Sequence, residues 1–368
     1  MKIHVVSFQV PWPADYGGAI DVFYKLKALR AEGFEITLHT FVYGDRSKQD
    51  TLEEVCKKVC YYERETGWRK QFSSLPYIVV TRDNAQLLDD LCRDDAPILF
   101  EGLHTCYFLS HPRLAGRRKI VRMHNIEHDY YRQLAKQTGW NWRAVYYLIE
   151  SWRLRRFEKV LRHADLICAI TKADQQSLLR RYPDQEIIHL PVFFDAAMPA
   201  KAVDTDPFVL YHGNLSVEEN QRVAQYIVRD IAPLCPKVLF VIAGRNPNFP
   251  KEQLPHNVQI IPNPSDEYLD QLLQTARIHL MLTFQSTGIK LKLLNALVRG
   301  NGHIIANRPM LYGHSLGRFC IRADETAQIA QQLNTLINMP LSLENKEAKD
   351  KYLSKMKKAG ISRLSLFK

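Results

Sequence analysis

A turn that follows a buried strand and opens a helix is the part of this chain best furnished for chemistry. After the apolar run Ile278–Leu282 the sequence reads Thr287-Gly288-Ile289-Lys290-Leu291-Lys292-Leu293-Leu294-Asn295. The first N–H groups of such a helix lack intrahelical acceptors, and with the positive end of the helix dipole they make an anion site. Gly288 lets the backbone at Gly288–Ile289 approach a ligand, and Lys290 places a point charge at the start of the helix. Asn295 can hydrogen-bond a ligand hydroxyl as donor or acceptor, and Thr287 can do so more weakly. Lys292, two positions from Lys290, faces elsewhere and reads as solvated.

Four more loops at strand ends carry polar groups. Gly17-Gly18 follows the first strand and precedes a helix, so its amides can face an anion or simply form a turn. His124-Asn125-Ile126-Glu127-His128 follows a strand ending at Met123. His124 stands where it could hydrogen-bond a reacting hydroxyl, or it could pack under the loop. Glu127 reads as an exposed cap of the following helix rather than a base. Asn214 lies in Tyr211-His212-Gly213-Asn214-Leu215-Ser216, and Arg245 in Ala243-Gly244-Arg245-Asn246. Glu101 and His104, after the strand Ile98–Phe100, are second-rank candidates on the same rim. The ligand such a set suits is a nucleotide diphosphate. No metal site is expected, because the one Asp-x-Asp, Asp204-Thr205-Asp206, falls in a linker. Lys290, Arg245 and helix amides would neutralise the phosphates instead.

These loops need a scaffold, and the pattern supplies it. Ile3–Phe8, Phe34–Val42, Pro97–Phe100, Lys119–Met123, Asp165–Ile170 and Ile187–Leu190 read as strands. Ala19–Ala31, Thr51–Cys60, Trp142–His163 and Lys172–Tyr182 read as helices, the first closed by Gly33. Pro191–Pro207, with three prolines, reads as a linker. Alternation restarts with strands at Phe208–Tyr211, Val238–Ala243, Val258–Ile261, Ile278–Leu282 and His303–Ala306, between helices. Alternating strands and helices predict an α/β chain of two Rossmann-like domains, facing each other across a cleft with ligand at the strand ends. The boundaries are 1–190 for the acceptor-side domain, 191–207 for the linker, 208–340 for the nucleotide-binding domain and 341–368 for a basic tail or closing helix.

Composition sets the limits. With 368 residues, 46% hydrophobic and 24% charged, the chain has the makeup of a soluble two-domain protein. It lacks any run of about 18 apolar residues, so no spanning helix is expected. Seven scattered cysteines suggest reduced thiols and a cytoplasmic setting. Cys56 and Cys60 read as two half-buried thiols on one helix rather than a metal pair. Of the net charge of +11, the whole excess of the second half lies in Lys346–Lys368, with eight basic and two acidic residues. A solvated helix, or attraction to anionic lipid on the inner face of a membrane, accounts for it better than nucleic acid, for which no binding motif is present. Trp142–Phe157 mixes aromatic and cationic residues at helical spacing; its aromatics read as core for the most part, with an interfacial role as the second reading.

The chain resembles the retaining GT-B glycosyltransferases of the family 4 group, over nearly its whole length. The landmarks are the Gly17-Gly18 loop, His124-Asn125-x-Glu127, Ala164–Thr171, His212-Gly213-Asn214-Leu215, Ala243-Gly244-Arg245 and Thr287–Leu297. The resemblance implies a nucleotide-diphosphate sugar as donor, no further cofactor, and a saccharide or polyprenyl-linked acceptor in surface polysaccharide or glycolipid assembly. It implies a retaining, metal-independent hexosyltransferase of mannosyltransferase type, with His124 as the functional histidine. Two departures stand out. The family's Glu-x7-Glu pair falls on Thr287 and Asn295, and the diphosphate clamp after the Gly-x-Leu turn falls on Asn214 and Glu218 or Glu219. A catalytically silent GT-B protein that binds a nucleotide sugar or a partner enzyme is therefore the competing reading, ahead of an epimerase of the same fold.

Overall fold

The computed structural model of the chain describes every residue outside 15–16, 45, 139–140, 195–205, 246–253, 286–289 and 313–314. It divides into two α/β units. One gathers the described residues of Met1–Asp195 with Met356–Lys368, the other those of Ala196–Ser286 with Lys290–Lys355.

The first unit runs β1 (Lys2–Ser7), α1 (Gly17–Ala31), β2 (Glu35–Val42), α2 (Thr51–Val55), β3 (Lys58–Glu63), α3 (Tyr77–Val80), α4 (Ala85–Leu91), β4 (Ile98–Glu101), β5 (Lys119–Met123), α5 (Glu127–Gln137), α6 (Trp142–Phe157), β6 (Leu166–Ala169), α7 (Lys172–Arg181) and β7 (Ile187–His189). Its seven strands lie in the order β3-β2-β1-β4-β5-β6-β7 and pair in parallel. Helices cover both faces, so central strands such as Leu166-Ile167-Cys168-Ala169 are buried throughout. Polar residues within the sheet are bonded to one another: His4 Nδ1 meets His39 Nε2 at 2.8 Å, and His39 Nδ1 meets the Tyr62 hydroxyl at 2.7 Å. The strand order reverses between β1 and β4, and that switch point is where the end of an open α/β sheet offers a crevice.

The second unit runs β8 (Phe208–Asn214), α8 (Glu218–Tyr226), β9 (Leu239–Arg245), β10 (Val258–Pro262), α9 (Asp266–Thr275), β11 (Ile278–Met281), α10 (Leu291–Arg299), β12 (His303–Ala306), α11 (Arg308–Leu311), β13 (Ile321–Arg322) and α12 (Thr326–Leu336). Its strands lie in the order β10-β9-β8-β11-β12-β13, so the same reversal falls between β8 and β11. Both units are thus Rossmann-like.

Several elements differ from the reading of the sequence. The helix expected over Thr51–Cys60 stops at Val55; Cys56 is extended, and Cys60 lies in β3, paired with His39. Val59, Tyr61 and Tyr62 fit a pleated edge better than a helix. The helix expected over Trp142–His163 ends at Phe157 and tightens into a 3-10 turn over Glu158–His163. The basic tail forms α13 (Leu343–Ser362) and a 3-10 turn over Arg363–Phe367. Leu364 and Phe367 are wholly buried in the core of the first unit, and Arg118 Nη2 donates to the Leu366 carbonyl at 2.8 Å. Among the described residues no helix is long and apolar enough to cross a membrane.

Candidate functional site

In the first unit the ends of β1, β4 and β5 meet at the switch point. Glu101 and Arg122 are paired neighbours in the β4–β5 ladder, and α1 brings Asp21 and Lys25, one turn apart, against them. All four are buried. Lys25 Nζ donates to Asp21 Oδ2 at 2.9 Å and to Glu101 Oε2 at 3.0 Å. Arg122 grips Asp21 with two nitrogens, Nε at 3.2 Å and Nη2 at 3.0 Å, and Nη2 also donates to the Pro191 carbonyl at 3.1 Å. Asp21 Oδ1 accepts the Phe193 N–H at 2.8 Å. His124 Nε2 completes the array against Glu101 Oε2 at 2.9 Å.

Two carboxylates thus face two fixed cations and an imidazole. Burial pushes the Asp21 carboxyl up, but Arg122 and Lys25 outweigh it and hold it well below the usual carboxylate range. Glu101 is likewise held down, with Lys25 and His124 outweighing its desolvation. Ligand atoms of Asp21, Glu101 and His124 lie within 4.8 Å of one another, as a metal would ask. Lys25 already sits on both carboxylates, so a metal ion would have to displace an ammonium.

Outside this array lies a second, less satisfied group. The Phe8 ring touches the rings of His124 and His104, both at 5.4 Å between centroids. Gly102, at φ +77°, turns the chain after β4, and a Cβ there would come within 3.0 Å of His104 Nδ1. Glu127 is buried rather than exposed, which corrects the reading of it as a surface cap. Its Oε1 accepts from Asn125 Nδ2 at 3.3 Å and lies 4.0 Å from His104 Nδ1. Burial pushes the Glu127 carboxyl up to about 7, Glu158 adding to it while Asn125 and Arg82 oppose. Burial pushes the His104 imidazole well below its ordinary value. Three buried atoms here have no hydrogen-bond partner among the described residues: Nδ1 of His104, Nδ1 of His124 and Oδ1 of Asn125. Gly17 and Gly18 form the first turn of α1, before Asp21.

The second unit gathers its polar groups where β8, β9 and α10 begin or end. Gly213 pairs with Gly244 and Asn214 with Arg245. A Cβ at Gly244 would lie 2.0 Å from the Gly213 carbonyl oxygen, so the two strand ends close up only because glycine is there. The Asn214 side chain is spent on its own turn: Oδ1 accepts from the Ser216 N–H at 3.0 Å and the Ser216 hydroxyl at 2.6 Å. Arg245 is exposed at the end of β9. His212 is buried on β8, and burial pushes its imidazole down to about 3.

Lys290 and Lys292 flank the start of α10. Lys290 is buried, its Nζ donates to the Gln285 carbonyl, and desolvation, only partly offset by Glu219, pushes it down to about 8. Lys292 is not solvated, contrary to its reading in the sequence. Its Nζ donates to Asn220 Oδ1 at 2.6 Å and the Tyr211 hydroxyl at 3.0 Å, and burial pushes it down to about 7. Glu219 Oε1 accepts the Phe284 and Gln285 N–H groups at 2.9 and 3.0 Å and also the Thr283 hydroxyl. Asn295 is half-buried on α10. Thr287, Gly288 and Ile289 lie outside the described residues.

Sequence reasoning missed Asp21, Lys25, Arg122 and Lys292. The signal for the first three was available: an acid and a base four apart at the start of a helix, and an arginine inside a buried strand.

No protein-family model matches the chain. A protein of Klebsiella pneumoniae described as an uncharacterised 44.6 kDa protein in a cps region is 26% identical over 318 residues, 80% of each chain. Among solved structures, a UDP-forming α,α-trehalose-phosphate synthase from Burkholderia xenovorans aligns over 98% of this chain and 97% of its own, at TM-score 0.62 and 13% identity. A sucrose-phosphate synthase from Thermosynechococcus elongatus aligns over 100% and 94%, at TM-score 0.64 and 15% identity. TarM aligns over 98% and 95%, at TM-score 0.64 and 10% identity. At such identities the likeness establishes the fold, which is that of the GT-B glycosyltransferases.

Proposed function

We propose that the chain is a glycosyltransferase that moves a sugar from a nucleotide-diphosphate donor to a saccharide or lipid-linked acceptor in surface polysaccharide or glycolipid assembly. The observation that carries this reading is the pair Lys290 and Lys292 at the start of α10. Both ammoniums are held below their ordinary range by loss of water, so an arriving diphosphate would restore the charge that burial disfavours. The helix start adds backbone donors of the same sign. Asn295 and Arg245 complete the donor side. The Klebsiella pneumoniae relative in a cps region supports the polysaccharide setting.

On the acceptor side His124 is the group we assign to the reaction. Glu101 fixes one ring nitrogen, and the other is unpartnered among the described residues, free to bond the incoming hydroxyl or the donor sugar. Glu127 and His104 stand behind it. Retention of configuration, independence from metal and a hexosyl or mannosyl donor follow from the family resemblance. The absence of a carboxylate at Thr287 and Asn295 favours a second reading, a silent nucleotide-sugar-binding protein.

Titration with UDP, GDP, their sugars and the parent nucleosides, followed by turnover with a pool of lipid-linked acceptors, tests the proposal. Lys290→Ala should weaken diphosphate binding by about 1.5–3 kcal/mol and leave nucleoside binding nearly unchanged. Equal losses for both ligands would make Lys290 structural, and tight binding without turnover would favour the silent protein.

A further inference from the structure

Helix α6 turns its apolar side outward. Trp142, Val145, Ile149, Trp152 and Arg156 recur at alternating spacings of three and four, a single stripe along the helix, with Leu148 beside it. The opposite side, with Ser151 and Leu154, is the one buried. Trp142 and Trp152 are 75% and 57% exposed. The neighbouring 3-10 turn adds Trp68 and Phe72 at 67% and 78%. It is fastened to the flank of α6, since Arg153 donates to the Gln71 carbonyl at 2.9 Å, and α3 just after it is held there too, Glu150 accepting the Tyr77 N–H at 2.8 Å. Four large aromatic rings therefore stand in water on adjoining elements of one domain, more than a solvated surface is expected to keep.

We propose that this face of α6, with Trp68 and Phe72, docks on an anionic lipid bilayer. The charges around the rings select the partner. Guanidiniums lie over three of the exposed indoles: Arg69 over Trp68 at 5.7 Å, Arg143 over Trp142 at 5.7 Å and Arg156 over Trp152 at 4.8 Å. Glu150, the one acidic residue of α6, is buried and bound by Arg153, and the Trp68–Phe72 turn has none. Glu65, an exposed carboxylate just before that turn, is paired with Lys70 of the turn at 2.8 Å. Indole rings with cationic neighbours suit the headgroup level of a membrane, where rings enter the acyl boundary and guanidiniums meet lipid phosphates. A second copy of this chain fits less well, because a two-fold interface would set the same arginines against each other.

Through its buried side, the same helix packs on the candidate acceptor side. The Ser151 hydroxyl of α6 donates to the His128 carbonyl in the first turn of α5 at 2.7 Å, four residues after His124. A bilayer held at α6 would present a lipid-linked acceptor near that loop; this last point rests on the glycosyltransferase reading, whereas the docking surface does not.

The test uses the full chain and sedimentation with vesicles of phosphatidylcholine alone or mixed with roughly a third phosphatidylglycerol, an anionic lipid. Binding is expected to the mixed vesicles only, to weaken as salt shortens the Debye length, and to quench tryptophan fluorescence when the lipid chains are brominated. Trp142→Ser with Trp152→Ser should lower the partition coefficient about tenfold or more, and Arg143→Gln with Arg156→Gln by roughly fivefold per charge. Both pairs are exposed, and an unchanged thermal transition by circular dichroism would confirm that the variants fold. Wild type that ignores anionic vesicles overturns the proposal. So does binding kept by the tryptophan variant and lost on Lys355→Gln, Lys357→Gln and Lys358→Gln, which would move the contact to α13. A dimer in lipid-free sedimentation that the tryptophan variant disperses would assign the face to a second copy. Nucleotide binding is measured separately, so a failed membrane contact leaves the enzymatic reading standing.

Discussion

Replacing Glu127 by glutamine should make the first domain more stable, and increasingly so as pH rises. Glu127 is buried with one weak hydrogen bond from Asn125, and burial holds its carboxyl at about 7 against 4.5 for the free side chain. The folded state therefore binds this proton more tightly than the unfolded chain. Its contribution is fully present below pH 4.5 and is lost as pH climbs through 7, after which the curve is flat. The difference amounts to about 3 kcal/mol above pH 8, since each tenfold change in proton affinity is worth 1.36 kcal/mol. Glutamine has the shape of the protonated carboxyl without its titration. The variant should match wild type near pH 4.5 and exceed it by about 3 kcal/mol at pH 8.5. The described tryptophans, Trp12, Trp68, Trp142 and Trp152, belong to the first unit, and the fifth, Trp140, falls between them in the sequence. Intrinsic fluorescence during urea unfolding therefore reports that unit without interference from the second. A stability difference that stays constant from pH 5 to 8.5 would refute the reasoning and place Glu127 in a polar, solvated setting.

Three other outcomes follow from the two sites. With Lys290 held at about 8 and Lys292 at about 7, diphosphate binding near pH 7.5 should take up about one proton, seen as a dependence of the calorimetric enthalpy on buffer ionisation; no buffer dependence would remove the lysines from the site. His124→Ala should cut turnover about a hundredfold or more while nucleotide affinity stays within a factor of a few, and unchanged turnover in a folded variant would sink the assignment. Lys25→Met should destabilise the first domain by about 3–5 kcal/mol, because two buried carboxylates lose a shared cation. Asp21 and Glu101 are held low in the folded state, so their contribution is present above the carboxylate range and lost as pH falls below it. The acid limb of the unfolding curve should accordingly flatten in that variant.

Much of the scaffold was legible because parallel strands buried on both faces write themselves as short apolar runs between helical periods. Lys119–Met123 and His303–Ala306 fall where the pattern puts them. Boundaries failed where a local signal competed with tertiary pairing. Thr51–Cys60 has helical spacing, yet Lys58–Glu63 gains a full ladder with β2, and the ladder wins. The rim residues were found by position, at strand ends, but their chemistry depends on burial, which position does not reveal. Glu127 and Lys292 have spacing that suits a solvated helix face. Only packing from elsewhere in the chain, with His104 beside one and Tyr211 and Asn220 around the other, makes them desolvated groups. Asp21 and Arg122 stand 101 residues apart, and no local pattern pairs them.

The second domain also explains how a glutamate can stand where the resemblance puts a diphosphate clamp. A carboxylate facing a diphosphate would repel it, but the Glu219 carboxylate is engaged by two backbone N–H groups and a hydroxyl at residues 283–285. Those bonds spread its charge over the loop that leads from β11 into residues 286–289 and fix where that loop begins. Lys292 comes from the other end of the same turn and reaches Asn220, the residue after Glu219, so acid and base are held by one helix start from opposite directions. On the glycosyltransferase reading, the positive charge expected after β8 is supplied from α10, and the glutamate left behind serves as a backbone anchor. The arrangement keeps a net attraction for phosphate while dispensing with the lost clamp. It leaves the missing carboxylates at Thr287 and Asn295 as the departures that bear on the sugar and ribose rather than on the diphosphate.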